Sequence, residues 1–216
     1  MGAKFLQTIM QGELFCNATT TLIHPELYNT GMAAVHQLQM GSILHSTHPN
    51  VNLWPSFFSG IQVIVNHDTP PHRDMGGSPT CYDFLLNSGT HKLSRLDLPD
   101  LGTSLSYGPG TLVAVLGKVL LHGVKWWEEE ERVCIAHFTK DAVHTRLGLE
   151  RPQWRRQQTY LQMLGKWSRK WSGGKGRERI CIVHLFLLDS VAKAADLFTV
   201  VRKIELKDLI KIHSGN

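Results

Sequence analysis

The sequence predicts a mainly β fold with flanking helices (α+β). From about residue 57 the chain changes to short runs rich in β-branched and aliphatic residues. Turn residues separate these runs, among them Pro70-Pro71, Gly76-Gly77, Ser88-Gly89 and Pro109-Gly110. Short strands at regular spacing with such turns are typical of a β-sandwich, a jelly roll or a barrel, and they argue against a parallel α/β fold.

The pattern divides the chain into three regions. Residues 1–53 form an N-terminal helical region, in which Leu27, Met32, Val35 and Leu38 recur at helical spacing and predict a helix over 25–44. Residues 54–153 form the β-rich core. Its predicted strands are 61–66, 81–86, 93–98, 105–107, 111–116, 119–124 and 132–139. Residues 154–216 form a basic helix, a Gly/Lys link and a divergent C-terminal tail.

The composition limits the class of protein. With 216 residues, 42% of them hydrophobic and 19% charged, the chain fits one globular core and excludes collagen-like or wholly disordered classes. The longest apolar stretches are short or interrupted, so we expect no membrane span. The four cysteines form no CxxC pair, and the N-terminus shows no secretory signal. We therefore expect a protein that is not secreted, located in the nucleus if it acts on DNA and otherwise in the cytoplasm.

Positive charge is concentrated after the β-rich region. Between Trp154 and Arg179 eight basic residues accompany a single acid, Glu178, with aromatic residues interspersed. Cations neutralise phosphates and aromatic faces stack on bases, so this composition suits a nucleic acid. A solvated basic helix and linker would have the same composition. The candidate contacts to a DNA backbone are Arg155, Arg156, Lys166, Arg169 and Lys170.

One spacing in the β-rich region suggests a metal site. His72 and Asp74 are two residues apart, so in an extended segment their side chains face the same side. His122, on a later predicted strand, would complete a set of two histidines and one carboxylate, which suits non-haem Fe(II). A His-x-Asp spacing also arises by chance in a histidine-rich chain. Structural histidines therefore remain an alternative explanation.

Arg132 follows His122 by ten residues. A turn between the two predicted strands favours an antiparallel hairpin, which would bring Arg132 back towards His122. A guanidinium binds a carboxylate in a fork geometry, as anchoring the distal end of 2-oxoglutarate requires.

Three other residues are candidates for substrate contacts. Asp83 is an acid in an otherwise apolar run, and it would either hydrogen-bond a substrate or lie at a solvent-exposed strand edge. Lys140 and His144 follow the last predicted strand. They would either line the mouth of the site or belong to an ordinary loop.

Several motifs between Trp54 and Trp154 occur together in one known family. They lie at residues 54–56, 66–74, 76–79, 82–83, 88–91, 95–100, 109–111, 117–120, 122–124, 132–138 and 144–148. In this combination the stretch resembles the TET/JBP-like Fe(II)/2-oxoglutarate dioxygenases that are expanded in fungi.

This resemblance implies a double-stranded β-helix (jelly roll, cupin-like) enzyme with Fe(II) and 2-oxoglutarate as cofactors. It implies that His72, Asp74 and His122 bind Fe(II) and that Arg132 and Asn66 contact 2-oxoglutarate. Arg73, which lies between His72 and Asp74, is a further candidate for a substrate contact. The implied reaction is oxidation of the methyl group of 5-methylcytosine and/or N6-methyladenine in DNA, with the target base flipped out. Methylated DNA is then the partner, and no obligate protein partner is inferred.

Two alternatives stay open. The position two after Asn66 is Asp68, where the family has a Tyr, and a carboxylate there would repel a dicarboxylate cosubstrate. A catalytically inactive jelly-roll module that binds nucleic acid is therefore one alternative. The other is an oxygenase that acts on a protein or a small molecule.

Overall fold

The structure is a computed structural model that describes residues 2–41, 50–128 and 130–156. The predicted helix beyond residue 156, the Gly/Lys link at 173–176 and the C-terminal tail lie outside the described residues. In the described ranges, no helix is both long and apolar enough to cross a membrane.

In the part of the chain that the structure describes, two α-helices precede the strands: α1 (Gly2–Ile23) and α2 (Pro25–Met40). The prediction of a helix over 25–44 is confirmed as far as Met40. The α2 helix begins after His24, whose Nδ1 accepts a hydrogen bond of 3.4 Å from the backbone N–H of Leu27. Pro25 fits the first helical position, where the lost N–H is not needed.

The sequence predicted a helical region over residues 1–53 but no individual helix at the position of α1, although the buried residues of α1 lie three or four apart. Leu6, Ile9, Glu13, Cys16 and Thr20 are all buried, as expected for one face of a helix. Polar Glu13 and Thr20 interrupt the apolar stripe, so the pattern in the sequence is weak.

Eight strands lie in the described part of the chain. They are β1 (Gly60–Val65), β2 (Thr69–His72), β3 (Asp83–Gly89), β4 (Arg95–Leu98), β5 (Thr103–Ser106), β6 (Leu112–Val115), β7 (His122–Val124) and β8 (Arg132–Phe138). All predicted strands are confirmed within a few residues. The strand that was not predicted, β2, contains Pro70 and Pro71 and lies at a sheet edge, where proline is tolerated.

The strand pairing is that of a jelly roll. β1 pairs with β8, β2 with β7, β3 with β6 and β4 with β5, all antiparallel. This nested hairpin is rolled up by further pairing of β3 with β8 and of β4 with β7. The result is two four-stranded sheets, ordered β1-β8-β3-β6 and β2-β7-β4-β5. The predicted jelly-roll core with flanking helices is therefore confirmed.

Two hydrophobic clusters pack the jelly roll and join it to the N-terminal helices. Between the sheets lies a cluster that includes Leu85, Leu96 and Cys134. A second cluster joins Cys16 and Leu27 from the helices to Phe84 of β3. A short helix, α3 (Asp141–Leu147), follows β8. The N-terminal helices therefore share a core with the β-rich region.

Candidate metal and cosubstrate site

Two histidines face each other across the pairing of β2 and β7. His72 and His122 are partners in the strand register, and their ring centroids lie 4.5 Å apart. Asp74 follows β2, and its Oδ1 and Oδ2 lie 3.5 Å and 3.6 Å from Nε2 of His72 and of His122. The three ligand atoms lie within 4.8 Å of one another, so these residues can hold a metal ion. The sequence prediction that they converge is confirmed.

The second ring nitrogen of each histidine has a backbone partner. Nδ1 of His72 lies 3.0 Å from the carbonyl oxygen of Pro70, and Nδ1 of His122 lies 3.0 Å from that of Leu120. A carbonyl oxygen only accepts, so each Nδ1 donates a proton to it, and Nε2 is the nitrogen of each ring that faces Asp74. Such backbone partners are the usual support of metal-binding histidines. Two imidazoles and a carboxylate fit Fe(II).

Asp83 lies behind Asp74 rather than at an exposed edge. It is 3% exposed, so the alternative of a solvent-facing position is wrong. Burial, followed by the neighbouring charge of Asp74 and a hydrogen bond with it, raises the pKa of Asp83 to about 8. The two carboxylates approach each other beside Gly117, where a Cβ atom would overlap an oxygen of each. Asp83 also lines the site cavity, and its contact with substrate stays a prediction.

Arg132 places its guanidinium inside the jelly roll. It is 1% exposed and lies on the same face of β8 as Cys134, which belongs to the core cluster between the sheets. The guanidinium carbon lies 5.5 Å from the ring centroid of Trp127 and 5.8 Å from that of Tyr107. Its Nη1 donates a hydrogen bond of 3.3 Å to the carbonyl oxygen of His67.

The charge of Arg132 is not compensated by any acidic side chain in the described ranges. Its Nε atom is buried and has no hydrogen-bond partner there, and no carboxylate there forms an ion pair with it. An uncompensated buried cation is costly unless a ligand pairs with it. The site therefore fits a carboxylate ligand such as 2-oxoglutarate.

Asn66 contacts the backbone of Arg132. Its side-chain Oδ1 accepts a hydrogen bond of 2.7 Å from the backbone N–H of Arg132. The backbone N–H of Asn66 donates one of 2.9 Å to the carbonyl oxygen of Arg132. Asn66 is exposed and is not among the residues that line the cavity. Its direct contact with 2-oxoglutarate stays a prediction.

One cavity joins the metal ligands to Arg132. It has a volume of about 260 Å³, and its wall includes His72, Asp74, His122 and Arg132. Apolar side chains from both sheets, such as Leu85 and Val124, complete it. A metal ion and a carboxylate ligand would therefore share the interior of the jelly roll.

Lys140 and His144, the two candidates after β8, differ in position. Lys140 lines the cavity, with its Nζ 5.3 Å from the ring centroid of Phe138. His144 lies in α3, fully buried, and is not part of the cavity wall. Burial, followed by the charge of Arg151, lowers the pKa of His144. This placement supports a substrate contact for Lys140 and does not support one for His144.

Arg73 lies between two candidate metal ligands in sequence, yet it is not part of the cavity wall. Its Nη2 donates hydrogen bonds of 3.0 Å and 2.8 Å to the two carboxylate oxygens of Asp100. Its Nε donates a hydrogen bond of 2.9 Å to the carbonyl oxygen of Val119. The predicted role in substrate binding has no support in these contacts.

The predicted DNA-backbone contacts are only partly described. Nε of Arg155 donates a hydrogen bond of 3.2 Å to the carbonyl oxygen of Ile23, at the end of α1. Arg156 is exposed. Lys166, Arg169 and Lys170 lie outside the described residues. All five stay predictions.

Several residues of the site were missed by sequence reasoning. Trp127 was assigned to the turn between two predicted strands, and Tyr107 to the end of a strand. An aromatic residue in a strand usually indicates core packing, so neither residue was considered for the site. Gly117 and Asp100 lie in motifs that carry the family resemblance. That position was the only signal in the sequence that pointed to them.

Comparison with known proteins identifies the family. The model of the Tet/JBP family, described as the oxygenase domain of the 2OGFeDO superfamily, matches residues 6–141, more than half of the 216 residues. No curated protein matches the chain. Among solved structures, NgTET1 in complex with 5mC DNA is similar with a TM-score of 0.39 and 14% identity, over 61% of this chain and 49% of that chain. The chain thus spans about half the length of that protein. The chain belongs to the Tet/JBP family of oxygenase domains, in the superfamily of 2-oxoglutarate- and Fe(II)-dependent dioxygenases.

Proposed function

We propose that this protein oxidises the methyl group of a methylated DNA base, 5-methylcytosine and/or N6-methyladenine. The observation that carries the proposal is that His72, Asp74, His122 and Arg132 line one cavity inside the jelly roll. Membership of the Tet/JBP family supports the choice of a methylated base over other substrates.

Three of these side chains would bind the metal ion, and the fourth would bind 2-oxoglutarate. His72, His122 and Asp74 would hold Fe(II), and Arg132 would hold the distal carboxylate of 2-oxoglutarate. When bound, Fe(II) and 2-oxoglutarate supply the oxidation of the methyl group by dioxygen, with decarboxylation of 2-oxoglutarate to succinate.

The protein's own contribution is to orient the ligands and to exclude water. The backbone carbonyls of Pro70 and Leu120 fix both imidazole rings. Asp83 forms a hydrogen bond with Asp74. The two carboxylates fit beside Gly117 because this residue has no side chain. Trp127 and Tyr107 flank the guanidinium of Arg132 and shield it from solvent. Side chains held in place in this way favour one reacting geometry.

A base in duplex DNA reaches this interior only after leaving the base stack. Flipping costs a few kcal/mol, which contacts to the phosphate backbone offset. Lys140 on the cavity wall is a described candidate for substrate contact, and Arg155 and Arg156 are described candidates for contact with the DNA backbone. Activity on DNA implies a nuclear location.

The proposal is tested by product analysis. The protein is incubated with Fe(II), 2-oxoglutarate, dioxygen and duplex oligonucleotides that carry 5-methylcytosine, N6-methyladenine or neither, and the nucleosides are measured by mass spectrometry. We expect an oxidised or demethylated base with one succinate for each oxidation step, and neither product from His72→Ala. Product formed equally by His72→Ala would contradict the metal assignment. Succinate without any change in the bases would be uncoupled turnover of 2-oxoglutarate. It would contradict oxidation of these bases and would leave the nature of another substrate open.

The inactive-module alternative has no specific observation in its favour. The metal-ligand set is complete and convergent. Asp68, whose charge motivated that alternative, is exposed and is not among the residues that line the cavity. Its carboxylate therefore gives no argument against 2-oxoglutarate binding.

A further inference from the structure

An exposed ion pair connects the two chain segments that carry the metal ligands. Arg73 lies between the ligands His72 and Asp74, and it binds Asp100, which lies in the turn of 3-10 helix Pro99–Leu101 after β4. Both carboxylate oxygens of Asp100 accept hydrogen bonds from Nη2 of Arg73. The first ligand segment is therefore attached to the end of β4.

The same pair also attaches the segment that precedes His122. Oδ2 of Asp100 accepts a hydrogen bond of 2.7 Å from the backbone N–H of Leu121. Nε of Arg73 donates one of 2.9 Å to the carbonyl oxygen of Val119. These two contacts hold the residues on either side of Leu120.

The carbonyl of Leu120 is the group that orients His122. It accepts the hydrogen bond from Nδ1 of His122 that directs Nε2 of that ring towards Asp74. A peptide held on both sides by Arg73 and Asp100 cannot rotate freely, so its carbonyl stays in place.

We infer that the Arg73–Asp100 pair is a positioning element of the metal centre, which sets the relative position of His72, Asp74 and His122 before the metal binds. Neither residue touches the metal ligands' donor atoms or lines the cavity. We expect substitution of either residue to weaken metal binding, because loss of a group that supports the metal ligands typically lowers metal affinity by roughly 10- to 100-fold. The global stability should change little, because the two side chains are 44% and 34% exposed.

The chain offers a matched control for this inference. Arg151 and Asp141 form a second Arg–Asp ion pair, with Nε–Oδ1 and Nη2–Oδ2 distances of 2.8 Å and 2.9 Å. Its side chains are 36% and 41% exposed, close to those of the first pair. The side chains of this second pair make no contact with the segment 119–121 among the hydrogen bonds of the described residues.

The experiment compares Asp100→Asn with Asp141→Asn in the full chain, using Co(II) alone as the probe. Metal affinity is measured by titration of the Co(II) absorption bands, and the melting temperature is measured with and without Co(II). We expect Asp100→Asn to weaken Co(II) binding roughly 10- to 100-fold and to lose most of the metal-induced rise in melting temperature. Asp141→Asn should match the wild type in both, and both variants should melt alike without metal.

Two further variants keep the inference testable. Arg73→Gln retains the bond between Asp100 and Leu121, so it provides a test if Asp100→Asn does not fold. It should also weaken Co(II) binding, whereas Arg151→Gln should not. Unchanged Co(II) affinity in both Arg73→Gln and Asp100→Asn would overturn the inference, as would equal losses in the two aspartate variants. Since Co(II) binding needs no DNA, failure of the base-oxidation assay would leave this result unaffected.

Discussion

The side-chain oxygen of Asn66 accepts a hydrogen bond of 2.7 Å from the backbone N–H of Arg132, which ties the end of β1 to the first residue of β8. Asn66 has a φ of 47°, a left-handed conformation that asparagine tolerates better than most residues. The backbone N–H of Asn66 donates to the carbonyl oxygen of Arg132 at 2.9 Å. Asn66 therefore fixes the position from which the guanidinium enters the cavity.

This contact predicts opposite outcomes for two substitutions of Asn66. Asn66→Gly keeps the left-handed backbone but removes the acceptor, so the start of β8 is less well fixed and 2-oxoglutarate should bind more weakly, by roughly tenfold for about 1.4 kcal/mol. Asn66→Asp keeps both the acceptor and the tolerance for this conformation, so its affinity should stay close to that of the wild type. Isothermal titration with 2-oxoglutarate on metal-loaded protein measures both.

The reverse order of affinities would support the interpretation taken from the family. If the amide of Asn66 contacts 2-oxoglutarate directly, Asn66→Asp would replace a donor by a negative charge. That variant would then be the more impaired of the two.

Gly117 is predicted to be essential for metal binding. A Cβ atom at this position would overlap carboxylate oxygens of Asp74 and Asp83, so Gly117→Ala must displace these carboxylates from the positions that they occupy beside the imidazoles. We expect the variant to fold and to lose Co(II) or Fe(II) affinity by at least roughly tenfold. Gly108→Ala is the control, because its nearest neighbour outside the adjacent residues, the carbonyl oxygen of Lys92, lies at 3.5 Å. Equal metal affinity in the two variants would show that Asp74 is not confined in this way.

The contact between α1 and β8 predicts that the N-terminal helix stabilises the jelly roll. Oε1 of Glu13 lies 2.7 Å from Nε2 of His137, and both side chains are buried. Glu13→Ala leaves a buried imidazole nitrogen without its partner, so the free energy of unfolding should fall by about 1–3 kcal/mol. Gln11→Ala, at an exposed position of the same helix, should change it by less than about 0.5 kcal/mol. Chemical denaturation measures both, and a Glu13→Ala variant as stable as Gln11→Ala would contradict the packing of α1.

The buried His144 predicts a loss of stability in mild acid. Burial, and then the charge of Arg151, lowers its pKa in the folded protein below the ordinary 6.5. As the pH falls below 6.5 the unfolded chain takes up the proton first, so the free energy of unfolding decreases until the folded pKa is reached. Each unit by which the pKa is lowered contributes about 1.4 kcal/mol.

The measurement is the free energy of unfolding between about pH 7.5 and about pH 5.5. His144→Gln should reduce this dependence, to which His24 and His91 also contribute because burial lowers the pKa of each. His36→Gln, at an exposed position of α2, should leave it unchanged. A pH dependence that is the same in both variants would show that His144 does not contribute to it.

The architecture could be predicted from the sequence because strands and turns leave local patterns. The two exceptions are informative. The β2 strand contains two prolines, which normally exclude a strand, and only its edge position in the sheet makes it possible. The face of α1 buries Glu13, whose partner His137 lies more than a hundred residues away, so no local pattern shows that this acid belongs to the core.

The metal ligands could be predicted for a similar reason, since a His-x-Asp spacing within an extended segment fixes relative direction. The role of Arg73 could not be predicted. The chemistry of a guanidinium suits a substrate phosphate and a carboxylate equally well. Only the fold shows that Asp100 lies within reach and that both residues contact the segment before His122.

The central claim is that one cavity holds a metal on His72, Asp74 and His122 and a carboxylate on Arg132. Anaerobic calorimetry tests it most directly, with Fe(II) added first and 2-oxoglutarate second. We predict that the wild type binds one Fe(II) and then one 2-oxoglutarate, that Arg132→Gln keeps the first step and loses the second, and that His122→Ala loses both. If His122→Ala bound Fe(II) as tightly as the wild type, or if Arg132→Gln bound 2-oxoglutarate unchanged, the account of this site would be wrong.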